Sequence, residues 1–439
     1  MRTLVFQVEP GGSLQGRARV PGDKSISHRA IMLGALADGV TEIDGFLEGA
    51  DALGTLHAFR AMGVRIDGPT AGRVVIHGAG LDGLTAPEGP LDLGNSGTSM
   101  RLLAGLLAAQ RFDSTLVGDE SLSGRPMRRV TEPLGRMGAR IETAENGTPP
   151  LVIRGGQALL GIDYESPVAS AQVKSAILLA GLYAEGRTCV REPAESRDHT
   201  ERMLSVFGWP VTRTGLTSCV EGGGRLKARA IDVPADISSA AFFLVGATIA
   251  PDSDIVLEHV GWNPTRTGVV EILRLMGADI EVLAEREAGG EPVADLRVRS
   301  APLQGIDIPE ALVPRAIDEF PVLFVAAACA QGRTRLTGAG ELRVKESDRI
   351  QVMADGLAAL GVDAGPTEDG IVIEGGPIGG GRVDSHGDHR IAMSFAVAGL
   401  RATGPIRIDD CRNVNTSFPG FAALARGLGL GLHEAGDND

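Results

Sequence analysis

Residues 237–251 read Ile-Ser-Ser-Ala-Ala-Phe-Phe-Leu-Val-Gly-Ala-Thr-Ile-Ala-Pro, a helix-forming run with no polar face. A helix that is apolar nearly all round has to be buried on every side. Five other stretches share this character: SISHRAIMLGALADG from Ser25, SGTSMRLLAGLLAAQ from Ser96, SAQVKSAILLAGLYAEG from Ser170, EFPVLFVAAACAQG from Glu319 and HRIAMSFAVAGLRATG from His389. A second unit recurs between them: an amphipathic helix, an apolar residue with glycine, then a short strand. It appears at Met62-Gly63-Val64, Met137-Gly138-Ala139, Phe207-Gly208-Trp209, Met276-Gly277-Ala278, Leu360-Gly361-Val362 and Leu428-Gly429-Leu430. Successive glycines are 75, 70, 69, 84 and 68 residues apart. The helices before them place apolar residues three or four apart, as in Leu53, Leu56, Phe59 and Met62. Each glycine stands where a helix C-terminus needs a left-handed residue. The long interval holds residues 284–295, a polar, glycine-bearing stretch that reads as a hairpin extension. Strand-like runs occur at 73–77, 151–154 and 370–374. These features predict six duplicated units with one inside helix each, three per domain, divided near residues 232–236.

Bulk properties agree. A chain of 439 residues is too long for one hydrophobic core, so two domains are expected. Aromatic residues make up only 4%, which leaves few platforms for stacking single-stranded bases. The formal net charge of −14 opposes general attraction to nucleic acid or anionic membranes. Cys189, Cys219, Cys329 and Cys411 form no CxxC pair. Neither a disulfide framework nor a structural zinc site is expected, and a reducing compartment fits. The apolar run in MRTLVFQVEPGGS is shorter than a signal-peptide core, and the runs at 177–182 and 322–329 are too short to span a bilayer. The expectation is a cytoplasmic enzyme, a monomer, with no nucleic-acid or membrane partner.

Polar residues of the inside helices gather at their N-terminal ends. Asp23-Lys24-Ser25-Ile26-Ser27-His28-Arg29 opens the first, Asn95-Ser96-Gly97-Thr98 the second and Ser170-Ala171-Gln172-Val173-Lys174 the third. Asp318-Glu319 opens the fifth and Asp388-His389-Arg390 the sixth. Helix starts carry unpaired N–H groups and partial positive charge, so several converging on one place make an anion site. Lys24, Arg29, Arg125, Lys345, Arg349 and Arg390 lie in or beside these segments. Such clustering in an acidic chain implies a small ligand with several negative charges, which arginine forks bind at two points. Asp318 and Glu346 are the acids that neighbouring cations would keep ionised for chemistry. GDKS matches only the tail of a P-loop, and there is no HExxH, GxSxG or Rossmann fingerprint. No metal and no cofactor is implied. Isolated His57, His77, His259 and His433 read as surface residues.

Pro21-Gly22-Asp23-Lys24-Ser25-Ile26-Ser27-His28-Arg29 resembles the N-terminal signature of the EPSP synthase family of enolpyruvyl transferases. Leu93-Gly94-Asn95-Ser96-Gly97-Thr98 with Arg101, Arg343-Val344-Lys345-Glu346-Ser347-Asp348-Arg349, Asp388-His389-Arg390 and Thr416-Ser417-Phe418-Pro419 resemble four further signatures. Arg197-Asp198-His199-Thr200-Glu201, Ser170-Ala171-Gln172-Val173-Lys174 and Asn263-Pro264-Thr265-Arg266 are similar to the second class within the family, often less sensitive to glyphosate. The resemblance runs from about residue 20 to about residue 420.

The resemblance implies a two-domain inside-out α/β barrel of six βαβαββ units. One domain would span residues 21–234; residues 1–20 with 235–439 would form the other, and the active site would lie in the interdomain cleft. It implies transfer of the enolpyruvyl group of phosphoenolpyruvate to the 5-hydroxyl of shikimate 3-phosphate, with release of phosphate. Lys24, Ser25, Arg29, Ser170, Ala171, Gln172, Arg197, Asp318 and Lys345 would hold shikimate 3-phosphate. Lys24, Gly97, Arg125, Gln172, Arg349 and Arg390 would hold phosphoenolpyruvate. Asp318 would take the hydroxyl proton, and Glu346 with Lys24 would deliver one to the methylene carbon. Some relatives carry lysine where Thr416 stands, so no phosphoenolpyruvate contact is assigned there. The rival within the fold is the cell-wall enolpyruvyl transferase that uses UDP-N-acetylglucosamine; it carries cysteine in the loop corresponding to 118–125, which here reads GDESLSGR. A rival of another class is a non-catalytic, clamp-like repeat protein, which needs a broadly basic inner surface.

Overall fold

The computed structural model describes residues 4–436. The chain divides into two compact α/β units. One comprises Gly22–Val233 with the short segment Glu287–Glu291; the other comprises the described residues up to Pro21, Pro234–Arg286 and those from Pro292 on.

The inside helices span Lys24–Leu36, Gly97–Leu107 and Ala171–Gly181 in the first unit, and Ile237–Ile249, Phe320–Ala328 and His389–Ala398 in the second. Every residue of the last three is buried. Each unit has its own continuous apolar core built around its three helices. In the second unit Phe418 of the Ser-Phe-Pro motif packs edge-on to Phe243 and Phe421, so this motif serves the core.

Three small sheets enclose each trio of helices. In the first unit Leu91–Asp92 lies parallel to Ser114–Val117, and Asp163–Glu165 parallel to Arg187–Arg191. Parallel neighbours need a crossover, and the inside helix supplies it in both cases. Antiparallel strands then complete each sheet. The first sheet of each unit departs from this order, because its parallel partner comes from elsewhere in the chain. Ala230–Asp232 pairs with Asp38–Asp44, and Gln15–Ala18 pairs with Asp254–Gly261. Leu4–Val8 is also distant in sequence from its partners and pairs antiparallel with Ile406–Asp409 and Leu432–Gly436 in another sheet of the second unit.

The six repeat glycines are all left-handed, with φ between +82° and +117°. In each repeat the N–H after the glycine closes back onto the helix, as Val64 does to the Phe59 carbonyl (3.1 Å) and Val362 to that of Leu357 (3.0 Å). That is the Schellman closure, and it satisfies a carbonyl that the helix end leaves open. Residues 284–295 form the predicted hairpin: Asp279–Ala288 and Glu291–Arg299 are its strands.

Two expectations fail. Cys189 and Cys219 stand directly opposite on antiparallel strands, Cα atoms 4.1 Å apart, and form a disulfide. Strand register, which residue spacing does not encode, brings them together. His259 is buried at a positive φ of 58°, because its N–H donates to Asp295 and its ring meets Arg286. Among the described residues, no helix is long and apolar enough to cross a membrane, and no cluster of His, Cys, Asp or Glu has the makings of a metal site.

The first unit's helices touch at Gly105, where an added Cβ would lie 2.1 Å from the Ala176 carbonyl oxygen. Gly105→Ala is expected to destabilise the protein by about 1–3 kcal/mol through overpacking. The control is Gly135→Ala, in open space on an outer helix, which should leave the urea midpoint unchanged or raise it.

Candidate active site

In the Gly22–Val233 unit, side chains tie the starts of all three inside helices together. His28 Nδ1 lies 2.8 Å from Thr55 Oγ1 and 3.3 Å from Ser99 Oγ, joining the first helix to the second. Burial, reinforced by the charges of Lys24 and Arg29, holds the His28 imidazole well below its usual pKa. Arg29 joins the first helix to the third: Nη2 donates to Ser175 Oγ (2.8 Å), Nε to Thr200 Oγ1 (2.7 Å) and Nη1 to the Ser25 carbonyl (2.9 Å). Gln172 joins the third to the second, donating to Thr98 Oγ1 (2.8 Å) and accepting from Arg101 Nη1 (2.6 Å).

Of the predicted site residues, Lys24 pairs with Asp51 at 2.9 Å. Ser170 caps its helix, accepting from the Val173 N–H, and Ala171 begins the helix proper. Arg125 donates to Asn95 Oδ1 (2.7 Å) and Ser121 Oγ (3.2 Å). It also packs over Gly97, where an added Cβ would sit 3.1 Å from Arg125 Nη1 and 2.8 Å from Arg101 Nη1. Arg197 is half-buried, and its charge opposes that of Arg29. Burial is the largest influence on Arg29 and, only partly offset by Glu201 and Asp23, brings its pKa down to about 10. A guanidinium in that condition gains from an incoming anion.

Residues 198–201 are buried at the start of the helix His199–Val206. Beneath Ser170 and Gln172, Lys174 Nζ is buried between Glu192 (2.8 Å) and Glu201 (2.9 Å). Burial alone would lower the lysine's pKa, but the two glutamates raise it overall. Glu192 also accepts the Ser170 N–H (2.8 Å), so the triad fixes the entry to the third helix. His199 is buried against Glu291 at 2.7 Å.

In the other unit the acids and bases interleave. Asp318 Oδ1 lies 3.6 Å from both Lys345 Nζ and Arg349 Nη1. Arg349, 1% exposed, donates from Nε to Asp388 Oδ2 (2.8 Å) and from Nη2 to Glu346 Oε2 (2.7 Å). Its Nη1 is buried without a hydrogen-bond partner among the described residues. Burial works against the Arg349 charge, yet Asp388 and Glu346 raise its pKa overall. Asp388 caps the sixth inside helix and, despite burial, is held below the usual carboxylate range by Arg349. Arg390 Nη1 donates to the Asp318 carbonyl (3.1 Å). Asp318 is not itself the helix cap; Glu319 is.

This arrangement gathers cations near the helix starts of each unit, and the second adds a carboxylate held beside them. A family model described as EPSP synthase (3-phosphoshikimate 1-carboxyvinyltransferase) matches residues 8–424. The chain belongs to the EPSP synthase family. It is 74% identical to the 3-phosphoshikimate 1-carboxyvinyltransferase of Alkalilimnicola ehrlichii, over 98% of this chain and 96% of that one. It is 69% identical to the enzyme of the same name from Methylococcus capsulatus, over 98% and 99%. The solved EPSP synthase of Acinetobacter baumannii superposes with a TM-score of 0.89 at 59% identity, covering 99% of this chain and 100% of that one. The chain is therefore an EPSP synthase-family enzyme with that family's two-unit α/β fold.

His28 supplies a pH test of this framework. Its imidazole is neutral when folded but takes up a proton when unfolded below about pH 6.5. The unfolded state then binds more protons, so stability falls as pH drops below that value. Between pH 6.5 and 5.5 the unaltered protein should lose about 1 kcal/mol more unfolding free energy than His28→Gln. Equal losses would mean that native His28 accepts the proton.

Proposed function

We propose that this enzyme adds the 5-hydroxyl of shikimate 3-phosphate to C2 of phosphoenolpyruvate and then expels phosphate. The observation that carries the reading is Asp318 lying 3.6 Å from both Lys345 Nζ and Arg349 Nη1, with Arg390 on its own carbonyl. A base among cations suits a reaction between two anions: it accepts the hydroxyl proton while the cations hold substrate phosphate and carboxylate. Glu346, with Lys24, protonates the methylene carbon; the resulting methyl loses a proton again as phosphate leaves. Arg29, under-compensated by acids, takes the phosphate of shikimate 3-phosphate together with Ser25, Ser170, Ala171, Gln172, Arg197 and Lys345. Arg125 and the open Nη1 of Arg349, with Arg390, take phosphoenolpyruvate, and Gly97 leaves room for close approach. The reading carries with it a monomer working in the cytoplasm.

Phosphate release with both substrates tests this. Lys24→Met and Asp318→Ala should each lower kcat by about 10²–10⁴-fold, and undiminished turnover in either removes its assigned role. Turnover with UDP-N-acetylglucosamine and none with shikimate 3-phosphate would replace the reading with the cell-wall activity.

Gly97→Ala pushes a methyl against Arg125 and Arg101. It should raise KM for phosphoenolpyruvate several-fold and weaken glyphosate more, with inhibition competitive against phosphoenolpyruvate in the unaltered enzyme. Purely noncompetitive inhibition would contradict the shared site.

A further inference from the structure

In the unit that holds Asp318, Arg266 does for one repeat what Arg349 does for the next. Arg349 contacts Asp388, the cap of the sixth inside helix, and reaches back to Asp318 at the start of the fifth. Arg266 Nη2 lies 3.5 Å from Asp236, the cap of the fourth, and 3.6 Å from Glu319, the cap of the fifth. Each guanidinium spans the first acids of two successive inside helices. Arg266 and Glu319 are 3% and 2% exposed.

The loop that carries Arg266 is built to hold it. Asn263 Oδ1 accepts from the Thr265 N–H (3.0 Å) and hydroxyl (2.8 Å), and Arg315 Nε donates to the Pro264 carbonyl (2.8 Å). Arg266 Nη2 donates to Ser238 Oγ (2.6 Å), and the Ser238 hydroxyl donates to Glu319 Oε1. Glu319 is thereby fixed to the start of the fourth helix through one hydroxyl and one cation.

We propose that Arg266, acting through Ser238 and Glu319, is a positioning residue for Asp318, an inference that rests on the reaction given above. Asp318 and Glu319 share a peptide bond. Arg390 holds that unit at the Asp318 carbonyl (3.1 Å), and the Arg266–Ser238–Glu319 set holds it from the other side. Between these anchors the Asp318 carboxylate keeps its distance from Lys345 and Arg349. Misplacing a reacting group by about 1 Å can cost about 10²-fold in rate. Salt bridges that served stability alone would leave turnover of the folded enzyme unchanged.

Glu319→Gln keeps the side-chain volume and an acceptor for Ser238 but removes the charge that Arg266 faces. Arg266→Lys keeps the cation and loses the fork. Ser238→Ala removes only the hydroxyl link. Each variant is measured by circular dichroism, thermal melting and steady-state phosphate release. In the folded variants kcat should fall about tenfold for Glu319→Gln and Arg266→Lys and about threefold for Ser238→Ala, with KM for both substrates within twofold. A kcat equal to that of the unaltered enzyme in any folded variant, or a raised KM with kcat unchanged, overturns the positioning role. Ser238→Ala decides the matter should the charge-altering variants fail to fold. Absence of phosphate release by the unaltered chain would instead sink the reaction itself, so the two failures are distinguishable.

Discussion

A helix with no polar flank can meet water nowhere along its length, so its polarity is confined to its two ends. In this chain the far ends run into short turns and sheets, and the near ends carry the caps. Asp23, Ser96, Ser170, Asp236 and Asp388 each accept a backbone N–H of the helix they begin. Those caps satisfy part of what a buried helix start leaves open and leave the remaining N–H groups and partial positive charge at the same end of each helix. Chemistry is placed at the helix starts because no other part of the inside helices can be polar.

Burying charge there is costly unless partners are supplied, and the two units supply them differently. Arg349 is surrounded by Asp388, Glu346 and Asp318, and they raise its pKa against the effect of burial. Arg29 is served mainly by hydroxyls and a carbonyl, and its pKa falls to about 10. The first arrangement holds carboxylates and a cation in close contact. The second leaves the Arg29 charge less fully offset by acids. The proposed reaction needs both a general base and a tightly held phosphate, and this division would serve it.

Much of this was legible in the sequence because it rests on local rules. An all-apolar helix and a glycine at a helix C-terminus are decided by neighbours in the chain, so Gly63 through Gly429 marked the repeats and Lys24, Gly97, Ser170, Asp318 and Asp388 marked the helix starts. What escaped depends on register and burial. Cys189 meets Cys219 only because two strands align, and Asp51 meets Lys24 only because an outer helix packs at one particular height. Lys174, Glu192 and Glu201 look like ordinary solvated charges until the third helix buries them together. His259 read as a surface residue because an isolated histidine shows no sign of the Asp295 carboxylate that draws its backbone inward. Borrowed strands such as Ala230–Asp232 are invisible for the same reason: a three-residue run has no periodicity to read.

In the second unit duplication gives each inside helix an acid at its start, Asp236, Glu319 or Asp388, and the opportunity to set a buried arginine beside it. The repeats have spent it differently. Around Arg349 the acids Asp318 and Glu346 are only partly buried, and the Arg349 Nη1 has no hydrogen-bond partner among the described residues. Around Arg266 the acids Asp236 and Glu319 are both buried and joined through Ser238. On the proposed reading, the same fork-and-acid geometry makes a reactive site in one repeat and a brace in the one before it. Because the fifth inside helix begins with Asp318-Glu319, the two uses meet at a single peptide bond. A scaffold assembled from copies can in this way support a reactive residue with its own duplicated machinery, and the support lies one repeat upstream of the chemistry.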